Sequence, residues 1–276
     1  MSNWPPNNDS ALHMPAKPPL AKVTLGLIFI NVMLFGWQIL SGVDISSPEI
    51  ADAIHWGADY APLTLLQEPY RLFSSMFFHF GLPHLMFNMW ALYIFGNLAE
   101  QTFGRVYFLA MYVLAGLMGS LLSAYVDIHN SYTFIENIKD LDGSLLPRVS
   151  AGASGAVMGI GGALTALAFF PRLARQQMAL DKRSLLTIMG INLVFGILTS
   201  GINNAAHVGG MIMGALLAIA WYAVQHFKLP KVMLAIILLL GALLCYAAYQ
   251  YCLMQIEPIM PLWQEALNNM QQQLGR

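Results

Sequence analysis

Gly152-Ala153-Ser154-Gly155-Ala156-Val157-Met158-Gly159 sets one serine among small residues at the start of a long apolar run. Small neighbours let other helices come close to that hydroxyl. The surrounding composition explains where such a run belongs. Hydrophobic residues make up 57% of the 276-residue chain and charged residues only 10%, against roughly 45–50% and about 25% in a soluble domain. The chain therefore reads as one polytopic membrane domain, with no stretch left over for a separate soluble one. A formal net charge of −1 supplies no basic field, so nucleic acid is not an expected partner.

Working outward from Ser154, seven apolar runs emerge, at about residues 23–40, 83–99, 106–126, 149–170, 185–199, 205–224 and 232–254, each bounded by charge, proline or glycine. The expected fold is all-α: a six-helix membrane domain over residues 23–228, then a seventh span and short outer tail over 229–276. Residues 1–22, with five prolines, read as a disordered cytoplasmic tail. The first run is longer than a signal-peptide core and lacks a cleavage site, so it counts as a span. Between the first two spans, residues 41–82 form an acidic outer loop whose pieces 61–66 and 72–78 suit short interfacial helices. The tail after Pro258 suits an amphipathic interfacial helix through Leu262, Ala266 and Met270. Cys245 and Cys252, seven apart on one helix and so about 10 Å apart, are too distant to pair and read as small fillers.

Basic residues orient the bundle. With the N-terminus inside, Lys17, Lys22, Arg105, Arg172, Arg175, Lys182, Arg183, Lys228 and Lys231 fall on the cytoplasmic side, while Arg71, Lys139, Arg148 and Arg276 fall outside. The positive-inside rule thus predicts a cytoplasmic N-terminus and an outer C-terminus. The second, fourth and sixth spans then all run inward, with His84, Ser154 and His207 near their starts. At 1.5 Å rise, these residues lie about 24, 27 and 31 Å above the inner boundary charges, a spread of roughly one helical turn. Three polar groups on three helices share one depth in the outer half of the bilayer.

Polar groups there are costly unless they face one another or a cavity, which makes them functional candidates. A serine hydroxyl needs a base, and a neutral imidazole such as His207 can take its proton. His84 and Asn88, four apart on one helix face, can both donate hydrogen bonds to a developing oxyanion. Gly155 and Gly159 on the fourth span, and Gly210 and Gly214 on the sixth, make small-xxx-small faces that bring helices close. Each feature has a plainer reading: a lone membrane serine usually bonds its own helix, and such glycine pairs are common packing. Their joint depth favours a site.

At this point the residues resemble the rhomboid intramembrane serine proteases, over about residues 69–228. The GxSG motif appears as Gly152, Ala153, Ser154 and Gly155, and HxxxxHxxxN as His79, His84 and Asn88. AHxxGxxxG appears as Ala206, His207, Gly210 and Gly214, and ExxxGxxxF as Glu100, Gly104 and Phe108. The resemblance implies Ser154 as nucleophile, His207 as general base, and His84, Asn88 and the Ser154 N–H as oxyanion hole, with His79 supporting. It implies a dyad without an acid, and no Asp or Glu lies in the outer half of any span. It also implies substrates that are transmembrane segments of other membrane proteins, entering between the second and fifth spans under an outer loop at residues 200–204. Tyr70-Arg71 stands where the family often has Trp-Arg, and Met158 where some members have an aromatic residue. No cofactor or metal is expected, and the bacterial cytoplasmic (inner) membrane is the expected location.

Two other classes compete. A transporter or channel could use His79, His84 and His207 as a polar pathway, but an acidic mid-span residue is missing. A non-proteolytic rhomboid-like chaperone would normally lack the serine or histidine.

Overall fold

A computed structural model describes residues 20–137, 143–173, 181–198 and 203–273. The expected tail over residues 1–19, most of the expected outer turn at 200–204, and Lys139, Arg175 and Arg276 lie outside the described residues. Among the described residues the regular elements are all helices, apart from one isolated antiparallel bridge between Asp59 and Ser150.

In order, α1 is Lys22–Leu40; the loop after it contributes α2 (Ile50–His55), α3 (Ala61–Leu66) and α4 (Arg71–Ser74), followed by a 3-10 turn at Ser75–Phe77. Then come α5 (Leu82–Phe103), α6 (Arg105–Glu136), α7 (Ser154–Leu167), α8 (Lys182–Leu198), α9 (Asn204–His226), α10 (Val232–Gln255) and α11 (Met260–Gln273). Helices suit a lipid solvent because each satisfies its own backbone. Among the described residues, α1, α6, α9 and α10 are long and apolar enough to cross a membrane. The protein is a multi-pass membrane protein.

The fourth expected span needs correction. Residues 149–153 are not helical, and α7 has 14 residues, about 21 Å, which falls short of a ~30 Å hydrocarbon core. Apolarity alone could not reveal this, because α7 is the centre of the bundle. It packs against α5, α6, α8 and α9, and every residue from Gly155 to Leu164 is buried. A helix enclosed by other helices is apolar on every side for the same reason as one enclosed by lipid.

Glycine makes that enclosure possible. A Cβ on Gly210 of α9 would collide with the Gly155 carbonyl oxygen, and one on Gly214 with the Gly159 carbonyl oxygen. On the third side, a Cβ on Gly159 would strike Ala115 of α6. At α1, the buried Glu100 carboxylate from the end of α5 accepts the Val23 and Thr24 N–H groups at 3.2 and 2.8 Å and the Thr24 hydroxyl at 3.0 Å. It therefore caps α1 from a neighbouring helix, where backbone donors are otherwise orphaned. Gly104, at φ +83°, makes the sharp exit from α5 into α6.

On α10, the thiols of Cys245 and Cys252 point at the Leu114 and Leu121 carbonyls of α6, at 3.7 and 3.9 Å. Both are small buried contacts that also act as weak donors. The C-terminal helix differs from expectation. Its buried stripe runs through Ile259, Trp263 and Leu267, while Leu262 and Ala266 are half-buried. These residues cover α3 and the C-terminal half of α6, and the Trp263 indole N–H donates to Ser131 Oγ at 2.9 Å. The helix covers protein, so its burial follows the partner surface.

The loop between α1 and α5 is pinned from within. Buried Arg71 donates to the Ile54 and Ala58 carbonyls at 2.8 and 2.9 Å and pairs with Glu68. Nearby, the Asp59 carboxylate accepts the Thr64 hydroxyl at 2.6 Å. Burial pushes the Asp59 carboxyl from 3.8 up to about 6, against the opposing pull of Thr64 and Arg71.

Two predictions follow from this packing. Gly214→Ala should destabilise by roughly 1–3 kcal/mol through overpacking, read as thermal unfolding in detergent, whereas Gly26→Ala, with open space around it, should be neutral. A carboxyl that holds its proton more tightly when folded makes the fold lose stability as pH rises from 3.8 through about 6. The melting-temperature difference between Asp59→Asn and wild type should therefore grow in the variant's favour across that window and then level off.

Candidate active site

Ser154 is the first residue of α7, and the strand-like segment before it is held at each step. Asp59 and Ser150 exchange both backbone hydrogen bonds, at 2.8 and 2.9 Å. The Gly152 N–H donates to the Ser75 carbonyl at 2.9 Å, and the Ala153 N–H to His79 Nε2 at 3.4 Å. His79 is fully buried. The loop between α1 and α5 thus sets the register of the serine.

His84, in the first turn of α5, accepts the Phe80 N–H on Nδ1 at 3.3 Å. In the neutral ring this leaves the proton on Nε2. That nitrogen faces Gly152: a Cβ there would sit 2.9 Å from His84 Nε2 and 3.8 Å from Ser154 Oγ. Gly152 also has φ +125°, a conformation that a side chain resists. Glycine is required here twice over, by space and by backbone.

Asn88 is buried, and its Nδ2 donates to the His84 carbonyl at 2.9 Å. One of its two amide protons is held by its own helix. His207, in the first turn of α9, is 3% exposed, and among the described residues neither ring nitrogen has a hydrogen-bond partner. No Ser154–His207 hydrogen bond is closed in this structure. The two backbones nevertheless meet beside them, since a Cβ on Gly155 would touch the Ala206 carbonyl oxygen at 3.4 Å. The His79 and His84 rings stand 5.2 Å apart.

A small cavity of about 30 Å³ opens beside the serine, lined by Ser120, Ser150, Gly152, Ser154 and Asn203 among others. It is polar and large enough for one water. Ser120, Ser150 and Asn203 were not among the residues singled out from sequence. Only Asn203 carried a readable signal, because Asn is a preferred helix N-cap and the helix of His207 starts directly after it.

A second cavity, apolar and about 130 Å³, lies between α5 and α8, lined by Phe87, Trp90, Ile94, Phe95, Ile188 and Ile191 among others. It separates the second and fifth of the expected spans.

This is a membrane helix bundle that gathers half-buried Ser154 and His84 with buried His79, Asn88 and His207 around the first turns of α5, α7 and α9. A rhomboid domain model matches residues 66–225, and the chain belongs to the rhomboid family. Rhomboid protease AarA of Providencia stuartii is 32% identical over 241 residues, covering 83% of this chain and 82% of the relative. Rhomboid protease GluP of Bacillus subtilis (strain 168) is 31% identical over 212 residues, 76% of this chain but 36% of the relative. The Arabidopsis thaliana relative named inactive RHOMBOID-like protein 8 is 33% identical over 180 residues, 64% of this chain and 46% of its own.

Gly152→Ala should lower reaction of Ser154 with a serine-directed fluorophosphonate on the order of 10²-fold, since the displaced ring and backbone misalign the site. The second-order labelling rate in detergent measures it, with thermal unfolding as the control for folding.

Proposed function

We propose that Ser154 and His207 are the catalytic dyad of this rhomboid-type intramembrane serine protease, with His84, Asn88 and the Ser154 N–H as its oxyanion hole. The observation that carries the reading is Gly152, flanked by Ser154 Oγ and His84 Nε2 in a space no side chain can share. A scissile carbonyl reaching Ser154 there would bring its oxygen near a ring N–H that already points at it.

Chemistry follows from the protonation states. A neutral His207 takes the Ser154 proton as Oγ attacks the carbonyl carbon. The oxyanion accepts hydrogen bonds from His84 Nε2–H, from the Ser154 N–H and from Asn88, whose second amide proton is not used by its helix. His207 returns the proton to the leaving nitrogen, the C–N bond breaks, and an acyl-serine remains. Water, for which the polar cavity beside Ser154 has room, then gives a proton to His207 and attacks the ester, releasing the acid and the serine.

The substrates proposed are transmembrane segments of other membrane proteins, with the lipid bilayer as the surrounding medium. Peptide bonds of an intact helix are hydrogen-bonded internally, so a segment must unwind locally before attack. The apolar crevice between α5 and α8 supports lateral entry from lipid, because its lining matches the side chains a transmembrane helix presents. We assign residues 23–228 as the proteolytic core, with the N-terminus cytoplasmic, the C-terminus outside, in a bacterial inner membrane.

Fluorophosphonate labelling tests the dyad. Wild type should label, and Ser154→Ala and His207→Ala should each abolish it while remaining folded. Asn88→Ala should slow labelling by roughly 10–10³-fold. Equal partial losses in all three would mean that the residues act through packing.

A further inference from the structure

We infer that Asn203 is a positioning residue for His207, doing through the backbone what an acidic partner would otherwise do through the ring. This rests on the dyad reading above. In a triad, a hydrogen bond to the second imidazole nitrogen orients the base. Here neither nitrogen of His207 is held, so the ring can be no better placed than the helix turn that carries it.

That turn depends on one side chain. Asn203 is extended, at φ −98° and ψ 99°, and caps α9: its Oδ1 accepts the Ala206 N–H at 3.1 Å. Its main-chain carbonyl accepts the His207 N–H at 3.2 Å. In the other direction, Nδ2 donates to Ser123 Oγ on α6 at 2.5 Å. The same residue therefore terminates the helix of the base and fastens it to a second helix.

Packing leaves the cap little slack. A Cβ on Gly119 of α6 would lie 2.7 Å from the Ala206 carbonyl oxygen, and one on Gly209 would lie 2.6 Å from the Met118 carbonyl oxygen. Helix α9 thus meets α6 backbone to backbone within one turn on either side of His207. Asn203 also lines the cavity that Ser154 lines, so its displacement is felt on the serine side as well. Loss of the cap would let the first turn fray, and His207 sits in that turn.

The test uses the full-length protein in detergent and the fluorophosphonate probe, with the inactivation rate separated from probe affinity by varying probe concentration. Asn203→Ala should lower the maximal inactivation rate by about 10–100-fold, the cost of a base misplaced by about 1 Å, and leave probe affinity within about threefold. Asn203→Asp retains the cap acceptor and should recover most of that rate. Ser123→Ala, which removes only the tie to α6, should fall between them. The inference is overturned if Asn203→Ala inactivates at the wild-type rate, or if Asn203→Asp is as slow as Asn203→Ala with an unchanged melting temperature. His207→Ala separates the two readings: if it labels normally, the dyad itself fails, whereas if it is silent while Asn203→Ala is normal, only the positioning role fails.

Discussion

The structure depends on the approach of α7 to α9, where carbonyl oxygens of one helix occupy the space that side chains would take on the other. Gly210 lies against the carbonyl of Gly155, and Gly214 against that of Gly159. In lipid there is no hydrophobic force to press two apolar helices together, so association rests on dispersion and close fit. Glycine maximises both by removing the Cβ. The same approach brings Ser154, one residue before the first of these contacts, and His207, three residues before Gly210, to adjoining helix ends.

A second constraint comes from outside the bundle. The residues before Ser154 are held by a backbone bridge to Asp59 and by bonds to Ser75 and His79. The loop supplying all three contacts is in turn held by Arg71, buried among the Ile54 and Ala58 carbonyls. Burying a guanidinium is costly unless its donors are satisfied, and here that cost is offset by two carbonyls and a carboxylate. The loop therefore keeps a defined shape above the site. The C-terminal α11 covers that loop with Trp263 and Leu267, which connects α10 to the loop that holds the residues before Ser154.

Much of this was legible before any coordinates. Apolar run length identified the long helices α1, α5, α8, α9 and α10 to within a few residues, and α6 except that it continues well past the expected end, because lipid permits few alternatives to a helix; the short α2 was not expected. The roles of Gly155, Gly210 and Gly214 followed from spacing, since residues four apart share a face. Other features were not legible. Arg71 and Asp59 are polar residues in a polar loop, and nothing in their neighbourhood along the chain distinguishes a buried pin from a solvated surface. The stripe of α11 was misplaced by one residue because its partner, α3, lies about 200 positions earlier in the chain.

The sequence by itself determined that the chain lives in a membrane, which residues are too polar to face lipid, and which small residues permit helices to touch. Those properties are local: they depend on side-chain chemistry and on the 3.6-residue repeat. Only the tertiary structure decided that α7 is a short enclosed helix, that His84 Nε2 and Ser154 Oγ flank Gly152, and that Asn203 ties the His207 helix to α6. Each of these joins segments far apart in the chain, and such contacts are set by which surfaces fit together rather than by the order of residues within any one segment.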